Sequence, residues 1–163
     1  MSKSTKRQLK LDPTKSSNYY KFVYFISEKL IIWTFLMFIL LSFNNSLLLQ
    51  KAVIALVLTF ATSEAIKGVY IKKRPVHPLL GHKIDSSFPS SHAAVAFCFF
   101  FSYLFFTNNY YAWILFFTCA VFTGVGRVLG GAHFKVDVIG GAVLAGICTY
   151  IVYILNLSVT LSF

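Results

Sequence analysis

Carboxylates are scarce: Asp and Glu number 5 in 163 residues, against 15 Lys and Arg. Magnesium and calcium take clusters of oxygen ligands, so a carboxylate-held metal centre is not expected here. The three cysteines, Cys98, Cys119 and Cys148, all lie in apolar runs, and none forms a CxxC or other metal-ligand spacing. They read as small packing residues, with no disulfide framework and no thiolate metal site. Charged residues make up 12% of the chain, where a soluble domain carries about 25%. No small-residue cleavage site follows the first apolar run, so no cleavable signal peptide is expected.

What replaces charge is long apolar runs. The chain is 57% apolar, and runs of that kind read as membrane helices. Residues 1–17 are polar and basic and read as a cytoplasmic tail; residues 18–163 form one membrane-embedded domain. Residues 18–29 mix aromatic residues with Lys21, Glu28 and Lys29, the pattern of an amphipathic interfacial helix. Five spans follow: Leu30 to Phe43, which is short for a crossing and is expected to borrow length from the segment before it, then about 52–70, 91–106, 110–129 and 133–155. Lys51 is expected to snorkel from the outer end of the second span. Ala142 and Gly146 make a small-xxx-small pair suited to close helix packing. The expected fold is therefore all-α, an integral membrane bundle of about five transmembrane helices plus an N-terminal interfacial helix.

The net charge of +10 suits an anionic partner. A chain that lies mostly in lipid is a poor nucleic-acid binder, which leaves the bilayer and a phosphorylated lipid. With five spans, the tail, the 71–90 loop and the 129–135 turn share one side, which holds nearly every Lys and Arg. The positive-inside rule puts that side in the cytoplasm.

Ionisable groups in or beside membrane spans are costly and need a reason. Lys67 and Arg74 are seven residues apart, about two helical turns, so a continued helix puts both cations on one face. Such a pair suits phosphate oxygens, or it is ordinary juxtamembrane charge. Pro89, Ser90, Ser91 and His92 open the third span; Ser caps a helix start, and free N–H groups there also bind anions. Arg127, His133 and Asp137 form the third group. His133 and Asp137 are i and i+4 on the fifth span, so a carboxylate can hold the imidazole as the tautomer with a free lone pair. That makes a nucleophile, or a structural His–Asp pair. Glu64, one turn before Lys67, reads first as its structural partner. His77 and His82 read as solvated loop residues.

Together these groups spell K-x6-RP, PSSH and R-x5-H-x3-D. In this order and spacing the chain resembles the type 2 phosphatidic acid phosphatase superfamily, which includes bacterial undecaprenyl-diphosphatases and vanadium haloperoxidases. The resemblance implies that Lys67, Arg74 and Arg127 bind phosphate oxygens and that Ser90 and Ser91 add donors. It implies that His133 attacks phosphorus, oriented by Asp137, and that His92 protonates the leaving oxygen. A phosphohistidine forms and is hydrolysed, with no metal and no cofactor. Two positions depart from the family pattern: Ser91 stands where Gly is usual, and Gly126 precedes Arg127 where Ser is usual. The function implied is a lipid phosphatase of a bacterial plasma membrane, acting on polyprenyl diphosphate, phosphatidic acid or phosphatidylglycerophosphate. A silent protein that only binds phospholipid headgroups is the alternative. A soluble haloperoxidase fits the apolar spans poorly, and a transporter would line a path across the bilayer rather than gather its polar groups at one face.

Overall fold

The computed structural model describes residues 17–75 and 86–157. The basic tail at 1–16, His77 and His82 lie outside them. Five helices make up the described architecture: α1 Ser17–Ser42, α2 Ser46–Val69, α3 Ser91–Phe106, α4 Tyr110–Leu129 and α5 Lys135–Ile154. They run alternately up and down. α3 is central and touches each of the other four. Four helices are long and apolar enough to cross a membrane; α3, with 16 residues, is shorter. At about 1.5 Å per residue it falls short of a hydrocarbon core about 30 Å thick.

The fold is all-helical as expected, and the short first span takes its missing length from the segment before it. The interfacial segment and the short first span are one continuous helix of 26 residues. Ser27, Glu28 and Lys29 of this helix each have a partner. Ser27 bonds the Tyr24 carbonyl at 2.7 Å. Lys29 lies over the Phe25 ring, 5.3 Å from its centroid. Glu28 turns towards Arg127 on α4.

Lys51 also departs from expectation. Instead of snorkelling outward it is buried, donates to Asn156 Oδ1 at 2.6 Å and sits over the Phe106 ring. The amine thereby ties the start of α2 to the end of α5.

The core is aromatic at one end and small in the middle. Phe38, Phe99, Tyr103 and Phe116 form one buried cluster, with Leu48, Ala52 and Ala112 around it. Ser42 and Tyr103 share a hydrogen bond of 2.8 Å across α1 and α3. Along α5 the buried Gly141 and Ala145 lie one position before Ala142 and Gly146, and a Cβ on Gly146 would itself lie 3.2 Å from the Phe101 ring on α3. A Cβ on Gly141 would lie 2.6 Å from the Ser90 carbonyl oxygen. That close approach docks α5 against the start of α3 and brings the polar groups of both together.

Candidate active site

The site lies at the end of the bundle where α2 and α4 finish and α3 and α5 begin. His133 is held just before α5, not on it. α4 stops at Leu129, and Gly131 turns the chain with φ 68°, a left-handed conformation that favours glycine. The N–H groups of Ala132 and His133 then bond back to the Arg127 carbonyl at 3.0 and 3.2 Å. The turn therefore fixes His133 relative to Arg127 through the backbone.

The imidazole of His133 is 3% exposed. Its Nδ1 lies 2.8 Å from the Ser87 carbonyl oxygen. A carbonyl only accepts, so Nδ1 carries the proton in this bond and the lone pair of the neutral ring sits on Nε2. Nε2 lies 3.4 Å from Arg74 Nη1, which only donates. The Arg74 guanidinium also reaches the Ala132 carbonyl at 3.4 Å. Burial pushes the imidazole pKa down to about 3; Arg74 and Arg127 push it the same way, Ser87 opposes them, and His92 adds to the depression. The ring is thus held in its neutral form, with its Nε2 lone pair facing the Arg74 guanidinium.

Asp137 does not make the expected pairing. The helix starts at Lys135, so His133 and Asp137 do not share a helical face. Their Nδ1 and Oδ2 atoms are 3.8 Å apart, beyond hydrogen-bond reach. Asp137, fully buried, accepts from the Phe134 N–H at 2.8 Å and pairs with Lys72. Lys72 itself lies over the rings of Phe88 and Phe134. The tautomer of His133 is therefore set by Ser87, while Asp137 adds nearby negative charge and closes the first turn of α5.

Ser90 and Ser91 sit at the start of α3. Ser90 N–H donates to the Asp137 carbonyl at 2.9 Å, but its hydroxyl is buried with no hydrogen-bond partner among the described residues. Ser91 points away from that pocket, towards α2. Its hydroxyl bonds Lys67, donates to Glu64 Oε1 at 3.0 Å and meets Ser63 Oγ at 3.1 Å. His92 follows on the first turn and is near enough to His133 for its charge to be felt.

Arg127 is 2% exposed, yet its Nε and Nη1 have no hydrogen-bond partner among the described residues. Glu28 lies 3.6 Å from Nη1, and the Tyr24 ring covers the guanidinium at 4.6 Å. Gly126 explains this arrangement. A Cβ there would lie 2.6 Å from the Ser27 Cβ, so a serine would push α1 off α4. The departure at position 126 exchanges a hydroxyl for the close approach that brings Tyr24 and Glu28 onto Arg127.

The structure thus brings Arg74, Arg127, His133 and Asp137 together and places Ser90 and His92 beside them. Lys67 is at the same end, held by Glu64 at 2.8 Å. Lys72, Ser87 and Glu28 were not anticipated. Ser87 acts through its carbonyl, which leaves no side-chain signature.

Residues 48–159, more than half of the chain, match the PAP2 superfamily. The chain belongs to that superfamily. It is 29% identical over 117 residues to the bacitracin transport permease protein BcrC of Bacillus licheniformis, which covers 68% of this chain and 56% of that protein. It is 36% identical over 90 residues to undecaprenyl-diphosphatase BcrC of Bacillus subtilis, covering 52% and 46%. The chain spans about half the length of these relatives. Among solved structures, LpxE of Aquifex aeolicus aligns with a TM-score of 0.64 at 22% identity, over 82% of each chain. At that identity the likeness concerns the fold. This PAP2 chain carries α1, with Glu28 and Tyr24, outside the matched segment.

Proposed function

We propose that this PAP2 protein is a membrane lipid phosphatase that transfers a phosphoryl group to His133 and then to water. The observation that carries the reading is the buried neutral His133, with Nδ1 occupied by Ser87 and its Nε2 lone pair facing Arg74. A nucleophile needs such a lone pair, and a phosphate monoester or diphosphate needs the cations around it.

Nε2 attacks phosphorus in line with the bond to the lipid oxygen. Arg74, Arg127 and Lys67 take the charge on the equatorial oxygens, with the Ser90 hydroxyl and the start of α3 as further donors. The P–O bond breaks and His92 gives its proton to the departing oxygen. The phosphorylated imidazole keeps its Nδ1–H on Ser87, and the Asp137 charge steadies the positive ring. His92, now neutral, takes a proton from water. That water attacks phosphorus, the P–N bond breaks, and phosphate leaves with His133 neutral again.

The substrate class is a lipid phosphate or diphosphate. Undecaprenyl diphosphate enters as one specific substrate through the similarity to undecaprenyl-diphosphatase BcrC. The reading includes a bacterial plasma membrane with the site facing the cytoplasm, an orientation that the basic residues at that end support. Hydrolysis by purified protein, on a panel of lipid phosphates with and without EDTA, tests the reading. Activity that survives EDTA and an acid-labile phosphoprotein are expected. Loss on chelation with recovery in magnesium would overturn the metal-free chemistry, and no hydrolysis of any lipid phosphate would overturn the activity.

A further inference from the structure

The geometry points to Glu64 as a stand-in anion: its carboxylate holds the place on the Lys67 ammonium for which an oxygen of a phosphate would compete. This rests on the phosphate-binding reading of Lys67 above. Lys67 lies in the last turn of α2, and its side chain is 13% exposed. It donates to Glu64 Oε1 and to Ser91 Oγ, and Ser91 donates to the same carboxylate oxygen, closing a three-membered ring of hydrogen bonds. Ser63, fully buried, holds Ser91 from behind.

Ser91 is the first residue of α3, so the ring sits on that helix's N-terminus. The positive end of a helix disfavours a cation and favours an anion. The C-terminal end of α2 offsets part of this for Lys67, and a negative partner offsets the rest. Glu64 supplies it before substrate arrives, and a phosphate meets the same need afterwards.

Glu64 is suited to leaving. Its side chain is 47% exposed, whereas the cation it covers is nearly buried. The Ser91 hydroxyl, present where the family pattern has glycine, stays with Lys67 when the carboxylate swings out, so the ammonium keeps its position. The outcome is a site whose affinity for phosphate is set by competition with its own glutamate.

The test compares wild type with Glu64→Gln and Glu64→Asp. Binding of inorganic phosphate and of vanadate is followed by calorimetry, and KM and kcat by turnover of a short-chain lipid phosphate. Gln keeps a hydrogen-bond acceptor for Lys67 and removes the charge. Phosphate and vanadate should then bind roughly three- to tenfold more tightly, the scale of one partly screened charge near the surface. KM should fall alongside, with kcat nearly unchanged, and Asp should restore wild-type affinity. A Gln variant that binds phosphate no better, or less well, overturns the stand-in role and shows Glu64 to be a fixed support for Lys67. Absence of phosphate binding by every protein also overturns it. If wild type fails to turn over substrate while Gln still tightens phosphate binding, the phosphatase reading fails and the stand-in role holds.

Discussion

At the end of the bundle away from the histidines, α2 and α4 each begin on an asparagine that closes its own first turn. Asn45 accepts from the Leu48 N–H at 3.0 Å and Asn109 from the Ala112 N–H at 3.1 Å. At the histidine end the starts are built otherwise. α3 begins on Ser90, whose hydroxyl makes no cap bond. α5 begins on Phe134, whose N–H is met by a carboxylate that also holds Lys72. One end satisfies its backbone locally and serves stability. The other leaves a helix start open and spends its charged groups on one another. The acidic residues make the same division: among the described residues, Glu28, Glu64 and Asp137 all partner cations of the site end. A chain with so few carboxylates has placed these three against Arg127, Lys67 and Lys72.

The contrast breaks most sharply at the proposed nucleophile. His133→Ala removes Nε2 and should lower turnover by on the order of 10³-fold or more on every phosphate substrate, with no phosphoprotein trapped. Near-normal turnover would sink the assignment. His92→Ala should cost about 10²–10⁴-fold on an alkyl lipid phosphate, whose oxygen needs a proton to leave. On an aryl phosphate the loss should be far smaller. Equal losses on both substrates would remove His92 from the role of acid.

The state of His133 can be read directly. Its pKa in the folded chain is depressed to about 3, below the value near 6.5 of an unfolded histidine. Between those values the unfolded chain binds the proton more readily, so this residue's contribution to stability falls as pH drops through that window. Imidazole chemical shifts should show His133 neutral down to about pH 4. The acid limb of kcat/KM then belongs to another group. Titration of His133 between pH 6 and 7 would show that the pocket is wetter than the structure places it.

A smaller effect sharpens the role of Asp137. A double-mutant cycle on Asp137→Asn and Lys72→Met should give a coupling of about 0.5–3 kcal/mol in thermal unfolding, as for residues in one ion-pair network. Coupling of Asp137 to His133 instead would restore the simple His–Asp pair.

The helix ends that the sequence marked well are those with local signals. Thr107, Asn108 and Asn109 break the chain between α3 and α4, and those two helices end where the pattern said. The start of α1 was less legible, because Lys21, Glu28 and Lys29 look like an interface in sequence. Glu28 instead has a partner on α4, 99 residues away, which no local pattern reveals. Among the residues of the candidate site, the side chains that gather there were legible as rare ionisable groups beside apolar runs. Their pairing was not. The i, i+4 spacing of His133 and Asp137 suggested a hydrogen bond, but the turn at Gly130–Gly131 delays the helix until Lys135 and leaves the two side chains 3.8 Å apart and Asp137 paired with Lys72. Ser87 enters through a carbonyl that every residue has, and only the tertiary structure selects it.

The finest test separates a poor cap from an open anion site. Asn109→Ala should cost about 1 kcal/mol of stability, the usual worth of an N-cap side chain, because the Ala112 N–H then loses its acceptor. KM should not move, since the change is at the far end of the bundle. Ser90→Ala should behave in the opposite way. The hydroxyl caps nothing and is buried without a partner, so its loss removes a desolvated polar group and leaves stability level or slightly higher. Yet the same hydroxyl is the donor that a phosphate would meet at the start of α3, so KM for a lipid phosphate should rise by about three- to tenfold, the worth of one hydrogen bond. Apparent melting temperature in one detergent, and KM on one substrate, decide between the two ends. A Ser90→Ala protein that melts as early as Asn109→Ala with an unchanged KM would mean that the start of α3 is merely capped in a way the hydroxyl geometry hides, and the distinction between the two ends would fall.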